Sequence, residues 1–162
     1  MKGPFEKILV YLDGSEESIA AAMYAIILAK TTGAELTAIY VVNTRALQDL
    51  VKARIFLQVE EQEYHRDLEA DADRYLKHVE KLAAGKDLTI RQVKVSGTVH
   101  REIKDYIKDQ EMDLLVLGGI GQIRSRRDEF LNETERAMRG APCPVLIVND
   151  EEKVWDLFDS LK

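Results

Sequence analysis

Short apolar runs alternate along this chain with longer segments whose apolar residues recur at helical spacing. The first run, residues 7–13, suits a buried parallel strand, because such strands are apolar on both faces. Three later runs have the same character: residues 36–42, 114–117 and 145–148. Residues 88–95 alternate in the manner of a strand with one wetter face. The pattern therefore predicts five strands.

The segments between these runs carry helix signals. Ser15 stands where a helix cap is needed, acidic residues follow it in the first turn, and Gly33 suits the end of that helix. The pattern is poor over residues 44–56, where a flexible connection is expected, and apolar residues then repeat at helical spacing over 64–82. Two more helices are expected, one after Gly97 and one before the last strand.

Alternation of strands with helices favours a parallel sheet, because right-handed crossovers place each connecting helix over the sheet. We predict an α/β fold, a doubly wound five-stranded parallel sheet with helices on both faces, forming a single domain at residues 1–149. Residues 150–162 are expected to form an amphipathic C-terminal tail that carries Trp155 and Phe158. Two interpretations of the tail stay open: it packs on its own domain, or it docks across a dimer.

Composition excludes several classes of protein. The 162 residues suffice for one domain whose core needs neither disulfides nor metal, and the single Cys143 leaves no intramolecular disulfide. A formal net charge of -6 disfavours a general nucleic-acid surface. The one long apolar segment, residues 19–29, is too short to cross a bilayer, and the charged N-terminus lacks a signal-peptide pattern. We therefore expect a cytoplasmic protein with no nucleic-acid partner and no membrane insertion.

The most informative chemistry follows the fourth predicted strand, which runs straight into a glycine-rich loop. Three glycines lie there: Gly118, Gly119 and Gly121. Backbone without side chains can approach a bound anion closely, so a phosphate-bearing small molecule is the first hypothesis. Three arginines follow: Arg124, Arg126 and Arg127. They suit charge-assisted contacts to phosphate, with a solvated surface loop as the alternative interpretation. Asn132 and Glu135 then open a helix as a capping box does.

Several other residues are candidates for ligand, catalytic and metal roles. Asp13 and Val41 lie at strand ends, where ligands bind in open parallel sheets, although Asp13 also suits a plain turn. The sequence assembles no nucleophile, base and orienting group, so we assign no catalytic residue. His65, with Glu61 and Glu69 at four-residue spacing, is more simply a polar helix face, so we assign no metal site.

These features together resemble the universal stress protein family. The resemblance runs from VYLDGS, through AIYVV and SGTVHREI, to ETERAM and APCPVLIV. The family's phosphate-binding pattern is Gly, any two residues, Gly, any nine, Gly, then Ser or Thr. Gly118 and Gly121 match its first two positions, whereas Leu131 and Asn132 stand where the pattern has Gly and then Ser or Thr.

The resemblance implies a regulatory binding module of the stress response, with ATP or another adenine nucleotide as the ligand. In the family, the positions of Asp13 and Val41 line the base and ribose, and the glycines cradle phosphates. Leu131 weakens this expectation, because its side chain enters space that a phosphate needs and restricts the backbone. With the arginine and the cap added, the expected binding residues are Asp13, Val41, Gly118, Gly121, Arg124 and Asn132.

The resemblance also implies a homodimer joined through residues 145–148, acting with an unknown regulatory protein partner. An apolar edge strand supports this expectation, since natural proteins seldom leave such an edge open. Two other functions stay open: a weak nucleotide hydrolase that uses the same site, and a dimeric interaction protein with a vestigial pocket.

Overall fold

Five parallel strands form one sheet in the computed structural model, which describes residues 3–44, 48–49, 52, 58–119 and 133–161 and only the backbone of 58–61. The strands are β1 (Lys7–Leu12), β2 (Glu35–Val42), β3 (Arg91–Ser96), β4 (Leu114–Gly118) and β5 (Val145–Val148). Their order is β3-β2-β1-β4-β5, and every pairing is parallel. The order changes direction between β1 and β4, which is where ligands bind in such sheets.

Helices cover both faces of the sheet, so the predicted doubly wound architecture is confirmed. The described helices are α1 (Glu16–Thr32), α2 (Gln58–Ala84), α3 (Val99–Gln110), α4 (Glu133–Gly140) and α5 (Glu151–Ser160). Buried residues of α1, α2 and α5 pack together on one face, and those of α3 and α4 pack on the other. The apolar core therefore has two parts, one on the α1 side of the sheet and one on the α3/α4 side.

Strand β1 shows why its sequence is apolar at every position. Ile8 and Val10 point to the α1 side, whereas Leu9 and Tyr11 point to the α3/α4 side, and none is more than 5% exposed. A strand buried on both faces needs apolar side chains at odd and even positions alike. Fully burying one such side chain stabilises the fold by roughly 1.5 to 3 kcal/mol.

Helix α1 begins and ends at the predicted signals. Ser15 Oγ accepts a hydrogen bond from the Ser18 amide (3.1 Å), as an N-cap does. Gly33 ends the helix with φ 79° and donates its amide to the Ala29 carbonyl (2.9 Å). A left-handed backbone favours glycine at that position. These caps fix the start of α1 a few residues after the end of β1.

The C-terminal helix α5 packs on its own domain. Val154 and Phe158 are buried together with residues of α1 and α2. Lys86 Nζ donates to the Leu161 carbonyl (2.8 Å) and lies 4.8 Å from the Phe158 ring centre. Trp155, by contrast, is 46% exposed. Of the two aromatic residues expected in the tail, only Trp155 therefore remains accessible to a partner.

Candidate functional site

Asp13 follows β1 directly and is exposed at the carboxyl edge of the sheet. Its Oδ1 accepts hydrogen bonds from the Ser15 amide (2.9 Å) and from the Ser15 hydroxyl. Its own amide donates to Ser18 Oγ (3.3 Å). The carboxylate therefore closes the turn into α1, as the plain turn role requires. Oδ2 makes no hydrogen bond to any residue that the structure describes, so it is able to accept one from a ligand hydroxyl.

Gly118 ends β4, the strand beside β1, and it lies against the first turn of α1. A Cβ placed on it would be 2.6 Å from the carbonyl carbon and oxygen of Glu17 and 2.9 Å from the Ser18 amide nitrogen. Close packing alone thus explains a glycine at this position. The same contact places Gly118 beside the turn that holds Asp13, because Ser18 also binds the Asp13 amide.

Gly119 packs on a different neighbour. A Cβ placed on it would lie 2.8 Å from Asn149 Oδ1 and 3.4 Å from the Val148 carbonyl oxygen. The two glycines that leave β4 therefore contact α1 on one side and the end of β5 on the other. A side chain at position 118 would displace the first turn of α1 or β4, whereas at position 119 movement of the Asn149 side chain could relieve the contact.

Val41 lies near the end of β2, where it pairs with Val95 of β3. Its side chain is 4% exposed and belongs to the apolar core on the α3/α4 side. The Val41 side chain therefore serves the core, so a ligand role rests on the backbone of this residue.

Glu133, the first residue of α4, joins α4 to the start of α3. Its Oε2 lies 3.0 Å from His100 Nδ1 and 3.4 Å from the His100 amide nitrogen, which donates to it. Its Oε1 pairs with Arg136 Nη1 at 3.2 Å. An acidic group stabilises the amino end of a helix through its unpaired amides and its dipole. The sequence analysis missed this group, because Glu133 and His100 are 33 positions apart.

Two buried tyrosines lie near the same edge. Burial, together with the negative charges of Asp13 and Glu133, raises the pKa of Tyr11 well above its usual value. Burial, followed by the charges of Asp71 and Asp13, raises the pKa of Tyr40 to about 12. Both phenols therefore keep their protons at neutral pH and are able to donate hydrogen bonds.

The remaining predicted binding residues, Gly121, Arg124 and Asn132, lie outside the described residues, as does Leu131. Within the described part of the chain, no group of three His, Cys, Asp or Glu side chains is placed to hold a metal ion. A search of the helices in that same part finds none that combines the length and apolar character of a membrane span.

Comparisons with known proteins agree with this fold. A sequence model described as the universal stress protein family matches residues 4–149. Universal stress protein MJ0531 of Methanocaldococcus jannaschii is 31% identical over 92% of this chain and 85% of its own length. The solved universal stress protein UspA of Lactobacillus plantarum superposes with a TM-score of 0.70 at 27% identity, covering 91% of this chain and 99% of the other.

One more distant relative was solved with a ligand. A universal stress protein family protein of Arabidopsis thaliana, solved with AMP bound, gives a TM-score of 0.63 at 15% identity and covers 88% of this chain and 90% of its own. At that level of identity the likeness speaks for the fold alone.

Proposed function

The chain belongs to the universal stress protein family, and from this premise we propose that it is a regulatory module that binds an adenine nucleotide at the carboxyl edge of its sheet. The observation that carries the proposal is the meeting of Asp13 and Gly118 at the first turn of α1. That turn lies at the switch point between β1 and β4, where parallel α/β sheets bind their ligands.

The polarity of the edge supports an orientation for the ligand. Asp13 places a carboxylate at the end of β1, and this carboxylate repels a phosphate. The glycines after β4 carry no side-chain charge, and exposed backbone amides attract anions. We therefore place the phosphates over Gly118 and the glycine-rich segment, and the nucleoside toward Asp13. The AMP held by the Arabidopsis relative makes adenine nucleotides the first probes.

Calorimetric titration with ATP tests the proposal, and we expect a dissociation constant weaker than about 1 µM, that is, less than about 8 kcal/mol of binding free energy. The weakness follows from Leu131, which stands in this sequence where the family has glycine. The double variant Leu131→Gly with Asn132→Ser should bind ATP more tightly, because both close backbone approach and a hydroxyl donor return.

Each result of that titration has a defined meaning. A parent protein that binds neither ATP nor AMP at millimolar concentration contradicts the proposed function and favours a vestigial pocket. Sub-micromolar binding by the parent, or no gain in the double variant, shows that Leu131 is not the obstacle. Phosphate released from bound ATP over successive turnovers identifies a hydrolase in place of a binding module.

We also propose that the module is a homodimer joined through β5. One side of β5 pairs with β4, and the strand is the last in the sheet that the described residues form. At the opposite edge, β3 carries Arg91 and Lys94, whose charges discourage pairing with another chain. The sequence of β5 is Val-Leu-Ile-Val, without a charge. A twofold partner would satisfy this edge with a self-complementary contact.

Leu146→Lys should therefore convert a dimer into a monomer of 18.4 kDa, as measured by light scattering. The lysine brings a like charge to each side of a twofold contact and interrupts an apolar strand. Gln92→Lys is the matched control on the opposite edge and should leave the dimer intact. A monomeric parent refutes the interface, and thermal melts of both variants verify that each remains folded.

A further inference from the structure

Tyr11 lies in β1, two residues before Asp13, and only 5% of it is exposed. It pairs in register with Ile39 of β2, and its side chain lies on the α3/α4 side with those of Ile39 and Val41. Successive residues of a strand on one face lie in successive rows. Tyr11 therefore occupies the row beneath Asp13 and Val41 and forms the floor of the proposed nucleoside end.

The hydroxyl of Tyr11 makes no hydrogen bond to any residue that the structure describes. In the same residues, every side-chain nitrogen or oxygen that is wholly buried has a hydrogen-bond partner. The phenol oxygen is therefore not wholly buried. Its surroundings include the charges of Asp13 and Glu133, both of which raise the pKa of the phenol. Because Tyr11 lies one row beneath Asp13 and its oxygen keeps some accessible surface, the hydroxyl is placed to meet a ligand at that edge.

We infer that Tyr11 is a specificity-determining residue, whose hydroxyl donates a hydrogen bond to the nucleoside half of the bound nucleotide. The inference rests on the proposed function. An uncharged donor one row beneath the Asp13 carboxylate suits an uncharged acceptor, namely a ring nitrogen or carbonyl of the base or an oxygen of the ribose. Phosphate is disfavoured there, because the Asp13 carboxylate repels it.

Tyr11→Phe tests the inference, because it removes the hydroxyl and keeps the ring in the core. We expect the affinities for ATP and for AMP, measured by calorimetry, to fall by the same factor of about 3 to 10, the effect of one hydrogen bond. Tyr106→Phe is the control, since Tyr106 lies nearer the other end of the same core and lines a small cavity there with Lys7 and Gln110. Its affinities should match those of the parent.

The outcomes separate this inference from the proposal beneath it. A parent that binds both nucleotides and a Tyr11→Phe variant that binds them equally well overturn the inference and leave the proposed function standing. Loss of affinity for ATP alone also overturns it, because the hydroxyl would then face the phosphates. A parent protein that binds neither nucleotide contradicts both the inference and the proposed function.

Melting of the ligand-free protein supplies an independent measurement. If the Tyr11 hydroxyl faces the site, its removal should leave the melting temperature of the apo protein unchanged or slightly higher. A Tyr11→Phe variant that melts about 2 to 4 °C lower has lost an internal hydrogen bond, and that result overturns the inference without any ligand.

Discussion

Phe158→Ala is expected to lower the free energy of unfolding by about 3 to 5 kcal/mol, because it leaves a cavity where an aromatic ring was buried. The ring is 6% exposed, packs with Val154 against the core on the α1 side, and lies beneath the ammonium group of Lys86. Denaturation in urea, monitored by circular dichroism, measures the loss. The tail would thereby be shown to contribute to the stability of the domain.

Trp155→Ala on the same helix is the matched control. Trp155 is 46% exposed, and a substitution at such a surface position changes stability by about 0.5 kcal/mol or less. If Trp155→Ala lowers the free energy of unfolding by an amount that grows with protein concentration, this side chain is buried between two copies, since association stabilises only the folded state. Equal losses at Trp155 and Phe158, at every concentration, contradict the placement of α5.

The sequence predicts this sheet well because its strands are parallel and central. Strand β1, with apolar residues on both faces, leaves a continuous apolar run that few other elements produce. The edge strand β3 was less predictable, since it begins at Arg91 and not at residue 88. The Leu88 amide donates to the Ala83 carbonyl (2.9 Å), after Asp87 takes a left-handed φ of 57°. Leu88 thus completes the end of α2, and its amide is not free for the sheet.

The tail could not be placed from its sequence. Val154, Trp155 and Phe158 recur at a spacing that serves an internal contact and an intermolecular one equally well. The structure separates them by direction: Val154 and Phe158 face α1, whereas Trp155 faces outward. Which side of α5 faces the domain depends on where β5 ends, and the position of β5 is set by the whole sheet.

The candidate site, too, has features that the sequence predicts and features that it does not. The position of Asp13 and Gly118 at one edge of the sheet was predictable, because each follows or ends an apolar strand, and parallel strands place such positions together. The contact of Glu133 with His100 and the position of Tyr11 in the row beneath Asp13 were not predicted. Periodicity assigned Tyr11 to a strand but carried no information about where its hydroxyl lies. Pairing of distant polar groups depends on how α4 packs on α3.

Gly118→Ala should cost at least about 1 to 3 kcal/mol of stability and weaken the proposed nucleotide binding with it. The added methyl group would lie 2.6 Å from the carbonyl carbon and oxygen of Glu17, which are backbone atoms and cannot rotate away. Either β4 or the first turn of α1 must then shift. That turn also holds Asp13 through Ser15 and Ser18, so the shift reaches the proposed nucleoside end of the site.

Gly140→Ala provides the comparison that isolates this steric effect. Gly140 ends α4, and a methyl group there meets no atom within 4 Å. Neither glycine has a positive φ, so alanine suffers no backbone strain at either position. Gly140→Ala should therefore stabilise the protein by about 0.4 to 1 kcal/mol, because it lowers only the entropy of the unfolded chain. If Gly118→Ala proves equally harmless in urea denaturation, α1 does not press on β4, and Gly118 owes its identity to a ligand and not to packing.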